Sequence, residues 1–300
     1  MCLLAAIGVG LYFGFFSRQD MQNLGDTLRG GVGDVLGADP FAGLGGDGGV
    51  NGTVFQWRFS KGRGGLTLEI LNALDDNWQV YFEQAVSDWQ SGTPDALTLS
   101  TTRIEAESAC VQVEGAMKVC NGKYGDTGWR GINELILTSA NKIVSSVAKM
   151  NEFYLTSSTS ELDKQYTMCH EIGHGFGLPH TDENFMNSPL GDCLDYSSSV
   201  SQNQKPGQVN YDKLAAVYGE VGSRRIRQRG QNSGIVDAMS KSRDDTLLER
   251  AKNSFREKVQ AFQVGKENEG WTRIHQHPLG EIHVTNLGDG YRGQINVFLA

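Results

Sequence analysis

Residues 168–185 read "MCHEIGHGFGLPHTDENF", and within it His170–His180 hold three of the chain's six histidines together with Glu171. On a helix, residues four apart project from one face, so His170 and His174 can turn their imidazoles toward a single point. Glu171 is rotated by about 100° from His170, which sets it beside that point. Gly177 permits the left-handed or tightly turned backbone that ends a helix, Pro179 reinforces the stop, and His180 swings back toward the other two. A chain with this segment must fold with a helix that ends abruptly and a loop that reverses onto it. Gly173 and Gly175 each cost a helix about 1 kcal/mol relative to alanine. Helix stability therefore does not account for them, and solvated surface histidines would not need them.

The donor set points to a metal. Three neutral imidazoles leave a fourth position for water, the arrangement of a catalytic zinc, whereas a structural zinc more typically closes that position and uses cysteines. The expectation is Zn2+ held by His170, His174 and His180, with Glu171 as the catalytic base that takes a proton from water.

Around this segment the hydrophobic pattern predicts an α+β domain of roughly 165 residues, large enough for a core. "TVFQWRF" and "GLTLEILNAL" read as strands. In "DDNWQVYFEQAVSDWQSG", Trp78, Tyr81, Phe82, Ala85, Val86 and Trp89 recur at three- and four-residue steps, marking an amphipathic helix capped by Asp75 or Asp76. That aromatic stripe reads as core. "ALTLSTTRI", "NELILTSA" and "KIVSSVAKMN" read as strands, with a hairpin region at "VCNGKYG". "LDKQYTMCHEIGHGFG" is a second helix behind a polar "TSSTSE" that can cap it, and "NYDKLAAVYG" a third, stopped by Gly219. Beyond residue 222 come a basic stretch, "SRRIRQRGQNSG", an amphipathic helix with Leu248, Ala251, Phe255, Val259 and Phe262 on one face, and a tail of short strands and turns. The basic stretch reads as solvated linker, with a proprotein-convertase site as the alternative.

The amino-terminal part has a different character. Residues 1–16, "MCLLAAIGVGLYFGFF", carry no charge. They read as a signal or signal-anchor segment, although no basic n-region or small-x-small cleavage site accompanies them; a buried core helix is the alternative. Residues 19–52 are glycine-rich and read as linker or pro-segment. The expected organisation is thus leader 1–18, linker 19–52, main domain 53–222 and extension 223–300. Five cysteines fit export. Cys110 and Cys120 are spaced like the ends of a hairpin, and Cys169 and Cys193 flank the histidine cluster. We expect the pairs 110–120 and 169–193, although four cysteines allow three pairings. Asn51, in "NGT", is the lone glycosylation acceptor motif. A net charge of −8 argues against nucleic acid or anionic lipid as the main partner. Membrane attachment would have to come through residues 1–16.

H-E-x-x-H-x-x-G-x-x-H is the long zinc signature of the metzincin metallopeptidases, and His170–His180 matches every fixed position. Together with "CNGKYGDTGWRGI", "AKMN" and "CLDYS", the chain resembles a matrixin-like group of secreted microbial and algal peptidases over about residues 55–220. The resemblance implies a metzincin-like fold of twisted mixed sheet, active-site helix and irregular lower subdomain. It also implies a zinc endopeptidase with Glu171 as general base, acting on protein or peptide substrates outside the cell as a secreted or membrane-anchored monomer. It further implies a sheet edge that pairs with an extended peptide, here placed in "KIVSSVAKMN". Metzincins carry a methionine in a turn beneath the zinc. Met186 and Leu194 compete for that place, and Leu194 is preferred because Tyr196 then falls where some metzincins carry a zinc-proximal tyrosine.

Some features carry a second reading. His275, His277 and His283 can share a strand face, so a second metal site is conceivable, without evident cysteine or carboxylate partners. Asp182, Glu183, Asp192 and Asp195 can bind calcium or simply cap and solvate their loop. For the whole chain, the rival to an enzyme is a non-catalytic secreted zinc module used in adhesion or matrix binding.

Overall fold

Alternating burial along Leu66–Ala73 makes this segment the first long strand of a twisted mixed sheet, with Leu66, Leu68 and Ile70 turned into the core. The computed structural model describes residues 53–197, 199–222, 237–263, 270–277 and 280–300. The leader, the glycine-rich segment with Asn51 and the basic linker lie outside the described residues. Among those described, no helix is long and apolar enough to cross a membrane.

Among the described residues nine strands form one sheet: β1 (Gln56–Trp57), β2 (Leu66–Ala73), β3 (Leu97–Arg103), β4 (Ala116–Gly122), β5 (Trp129–Thr138), β6 (Lys142–Asn151), β7 (Thr272–His277), β8 (Gly280–Gly288) and β9 (Tyr291–Leu299). The spatial order is β3-β2-β4-β6-β5-β9-β8-β7, and β1 extends the sheet beside the start of β6. The β2–β3, β2–β4 and β4–β6 pairs are parallel. From β6 onward every pair on that path is antiparallel. The architecture is mixed α+β, and the strands on either side of residue 222 belong to one sheet.

The helices are α1 (Gln79–Gln90), α2 (Glu161–Gly175), α3 (Gln208–Tyr218) and α4 (Asp237–Gln263). Asp75 caps the 3-10 turn Asp76–Trp78 that leads into α1 by accepting from the Asn77 amide. The stripe Tyr81, Phe82, Ala85 and Trp89 is buried, as the helical spacing predicts. It packs on α2, which lies on one face of the sheet in the larger core cluster. On the opposite face, Leu248, Ala251, Phe255, Val259 and Phe262 of α4 meet Ile132, Ile136 and Val144 of the sheet in a second cluster.

Three expectations need correction. "VCNGKYG" is not a hairpin: Cys120 sits on β4, an interior strand with parallel neighbours on both sides, and Cys110 reaches it from a loop. The carboxyl-terminal tail is not short strands and turns but three antiparallel strands of six, nine and nine residues. "KIVSSVAKMN" is β6, whose two sides are taken by β4 and β5. It has no free edge to offer a peptide. The strand on its antiparallel side, β5, pairs with β9.

Candidate metal centre

Helix α2 begins where Ser160 accepts from the Asp163 amide, with Glu161 and Asp163 in the first turn facing the positive end of the helix dipole. It ends at Phe176, and Gly177 turns the chain in the left-handed region at φ +89°. A Cβ there would also lie 2.3 Å from the Phe55 carbonyl oxygen, so only glycine fits this turn. Gly173 and Gly175 serve close packing instead. A Cβ on Gly173 would stand 2.7 Å from Trp89 and 3.0 Å from Leu194, and one on Gly175 would stand 2.5 Å from Met117. The helix cost of these two glycines thus lets α2 press onto α1, the sheet and the loop beneath it.

The turn returns His180 to His170 and His174. All three are buried, and their metal-ligating nitrogens lie within 4.8 Å of one another. Each Nδ1 meets an oxygen acceptor: the Cys193 carbonyl for His170 at 2.7 Å, the Leu178 carbonyl for His174 at 2.9 Å and the Glu183 carboxylate for His180 at 2.8 Å. A carbonyl or ionised carboxylate can only accept, so each Nδ1 carries the hydrogen and each Nε2 keeps its lone pair. The His170 and His174 Nε2 atoms, 3.0 Å apart, turn those lone pairs toward each other. An ion bound by both resolves that opposition. The three imidazoles can therefore hold a metal ion, and among the described residues they are the one group of three or more such side chains placed to do so.

Burial governs the protonation of the cluster. It pushes His170 well below the ordinary histidine value, assisted by the neighbouring His174 and His180. It likewise brings His174 down to about 3, with His180 adding to the effect. Neutral imidazoles are the ligating form. Burial pushes the Glu171 carboxyl the other way, well above the ordinary glutamate value. Neither carboxylate oxygen of Glu171 has a hydrogen-bond partner among the described residues. Its backbone carbonyl accepts from Asn133 Nδ2 at 3.0 Å, and Gly131 of β5 lies against its side chain.

The loop after His180 folds beneath the cluster through a short bridge. The Thr181 amide donates to the Leu194 carbonyl at 2.8 Å, and the Tyr196 amide to Asp182 at 3.0 Å. This return buries Leu194 against Gly173. It also stacks Tyr196 against His170, with ring centres 5.4 Å apart, and tilts it over His180 at 4.1 Å. Met186 is 85 % exposed and takes no part in the floor. Cys169 on α2 is joined to Cys193 on the returning loop, and the second pair, Cys110–Cys120, also forms.

The acidic loop residues act as caps. Asp182 accepts from the Glu183 and Asn184 amides, Asp192 from the Leu194 amide, and Asp195 from the Leu190 amide. Glu183 does more, holding His180 with one oxygen and His275 of β7 with the other at 2.7 Å. His283 bonds instead to Glu281 and stacks edge-on against Phe262. The tail histidines do not gather into a described second metal group.

Sequence reasoning missed Glu183 as a support for His180, and Gly131 and Asn133 as neighbours of Glu171. The three-residue step from His180 to Glu183 was a usable signal for the first. Nothing local announced the others, or that Phe298 of β9 lies parallel to the His170 ring with centres 4.6 Å apart. No protein-family model matches the chain, and no curated protein matches it either.

Proposed function

We propose that the chain is a zinc-dependent endopeptidase of metzincin type, with the metal at His170, His174 and His180 and Glu171 as general base. The observation that carries this reading is the Glu171 carboxylate. It is fully buried, has no hydrogen-bond partner among the described residues, and lies one residue from the first imidazole. Stability alone disfavours such a group, since an unsatisfied buried carboxyl costs free energy. A proton-transfer role accounts for it.

Zinc, when bound, supplies a Lewis acid that makes water acidic near neutral pH and polarises a carbonyl. The remaining steps belong to the protein. Glu171 takes the proton as the water oxygen bonds to the scissile carbonyl carbon. It then passes that proton to the amide nitrogen as the carbon–nitrogen bond breaks. Burial pushes the Glu171 carboxyl well above the ordinary glutamate value, the direction that favours its holding a proton between the two acts. Leu194 fills from below the position that methionine takes in metzincins, and the two side chains have similar volume. Two disulfides support a chain that works outside the cell, secreted or membrane-anchored.

The test is direct. Zinc-loaded chain should cleave casein or an unstructured peptide library, and a chelator should abolish the cleavage. Glu171→Gln should retain stoichiometric zinc and lose cleavage by about a hundredfold or more. Undiminished cleavage by that variant sinks the mechanism. A second reading, a non-catalytic zinc module, draws on the burial of all four site residues, each 5 % exposed or less. It predicts zinc binding with no cleavage under any condition.

A further inference from the structure

Strand β5 has the metal helix under one face and would end the sheet if β9 were absent. Its Gly131 stands where a Cβ would come within 2.6 Å of Glu171 Oε1, so the main chain here runs directly beside the proposed base. A strand edge next to a reactive centre is the geometry by which enzymes capture an extended peptide, through main-chain hydrogen bonds and alternating side-chain pockets. In this chain that edge is taken. β9 runs antiparallel along β5 from Trp129↔Leu299 to Thr138↔Tyr291, passing Phe298 opposite Gly131 and Asn296 opposite Asn133.

The side chains of β9 divide as those of a bound peptide would. Gln294 and Asn296 line a small cavity shared with His174 and His180. Phe298 enters a cage of Tyr166, His170 and Tyr196, with the Arg130 guanidinium 4.8 Å above its ring. The intervening Ile295 and Val297 face the other way, into the cluster around α4. Two further contacts fasten the neighbouring strands to the metal loop. Gly280 of β8 approaches Tyr196 so closely that a Cβ would lie 1.9 Å from its hydroxyl oxygen. His275 of β7 bonds Glu183, the support of His180.

We propose that β9 is an internal pseudosubstrate: it occupies the peptide-binding edge of β5 with Phe298 against the His170 ring, and holds the centre at a low basal activity until the β7–β9 unit is displaced. The contacts are all non-covalent. No cysteine follows Cys193, so no disulfide fastens this unit to the rest. The peptide chemistry that replaces β9 is an extended, uncharged segment presenting an aromatic side chain to the Phe298 cage. The latency rests on the hydrolytic reading above; the occupancy of the edge does not.

The test uses the full zinc-loaded chain, as wild type, as Phe298→Asp, which would set a carboxylate in the aromatic cage, and as Gly280→Ala, whose methyl group would overlap Tyr196 and push β8 away from it. The probe is a fluorescent peptide of sequence QINVFLA, the Gln294–Ala300 segment. Both variants should lose amide-exchange protection in β5, bind the probe at least tenfold more tightly than wild type, and cleave casein at least tenfold faster. Replacing the probe's phenylalanine by alanine should weaken its capture at least tenfold. Probe binding and cleavage by wild type equal to those of the variants overturns the inference. So do variants in which β5 stays protected and no probe binds. Probe capture by the variants without any cleavage upholds the pseudosubstrate and counts against the hydrolytic reading instead.

Discussion

Gly131 and Glu171 are fitted to each other: a methyl group on the first would overlap the carboxylate of the second, 2.6 Å from Oε1 and 3.0 Å from Cγ. Gly131→Ala would press on both the Glu171 carboxylate and Thr167, 2.7 Å away on the same helix, and on none of the Nδ1 partners of the imidazoles. Zinc content should stay stoichiometric while casein cleavage falls by about tenfold or more, since small misplacements of a reacting group carry large rate penalties. Metal analysis beside a cleavage assay checks this, and equal losses of both would show that the contact is not selective for the base.

Glu183 orients His180 as the backbone carbonyls orient its two partners. Glu183→Gln retains the shape but replaces the carboxylate with a neutral amide, which accepts less strongly. Zinc affinity should drop by about 10- to 100-fold, the usual cost of losing an outer partner of a metal-bound histidine. Competition against a chelator of known affinity measures it.

The Cys169–Cys193 bridge closes a loop with a sequence separation of 24 around the whole cluster, and the Cys193 carbonyl receives the His170 Nδ1 hydrogen. Replacing both cysteines by alanine should cost about 2–4 kcal/mol of stability by loosening the restriction on the unfolded chain. It should also weaken zinc, because it frees the carbonyl that fixes the His170 ring. Thermal unfolding with and without excess zinc separates the two effects.

Leu194 and Met186 should respond in opposite ways. Leu194 is fully buried beneath the cluster, so Leu194→Ala should destabilise by about 2–5 kcal/mol. Met186 is largely solvent-exposed, and Met186→Ala should stay within about 0.5 kcal/mol of wild type. Denaturant melts of both variants decide which residue forms the floor.

Much of the metal centre was legible because its determinants are local. The four-residue step of His170 and His174, the Gly177 stop and the α1 stripe ending at Trp89 each act within a few turns of chain. Periodicity could place β5 and β6 as strands, yet it could not say which of them faces outward. Both strands are buried on both faces, so neither shows the alternation that distinguishes one side from the other. The pairing of β9 with β5 is likewise silent in sequence, because register across a long separation is set by tertiary packing. Gly131 and Asn133 were missed for that reason: their meaning depends on which helix the strand meets.

The Arg130 side chain donates to the Leu299 carbonyl across 169 residues of chain. Contacts this distant form late, since the ends of a long loop must be brought together before any pairing offsets the lost entropy. The helix, the returning loop and their bridge, all within Glu161–Tyr196, can assemble before β9 arrives. If β9 docks last, order of assembly sets order of loading. Zinc supplied during refolding should be taken up faster than zinc added to the finished chain, whose own last-built strand then stands in the doorway, and stopped-flow uptake with a zinc indicator would register the difference.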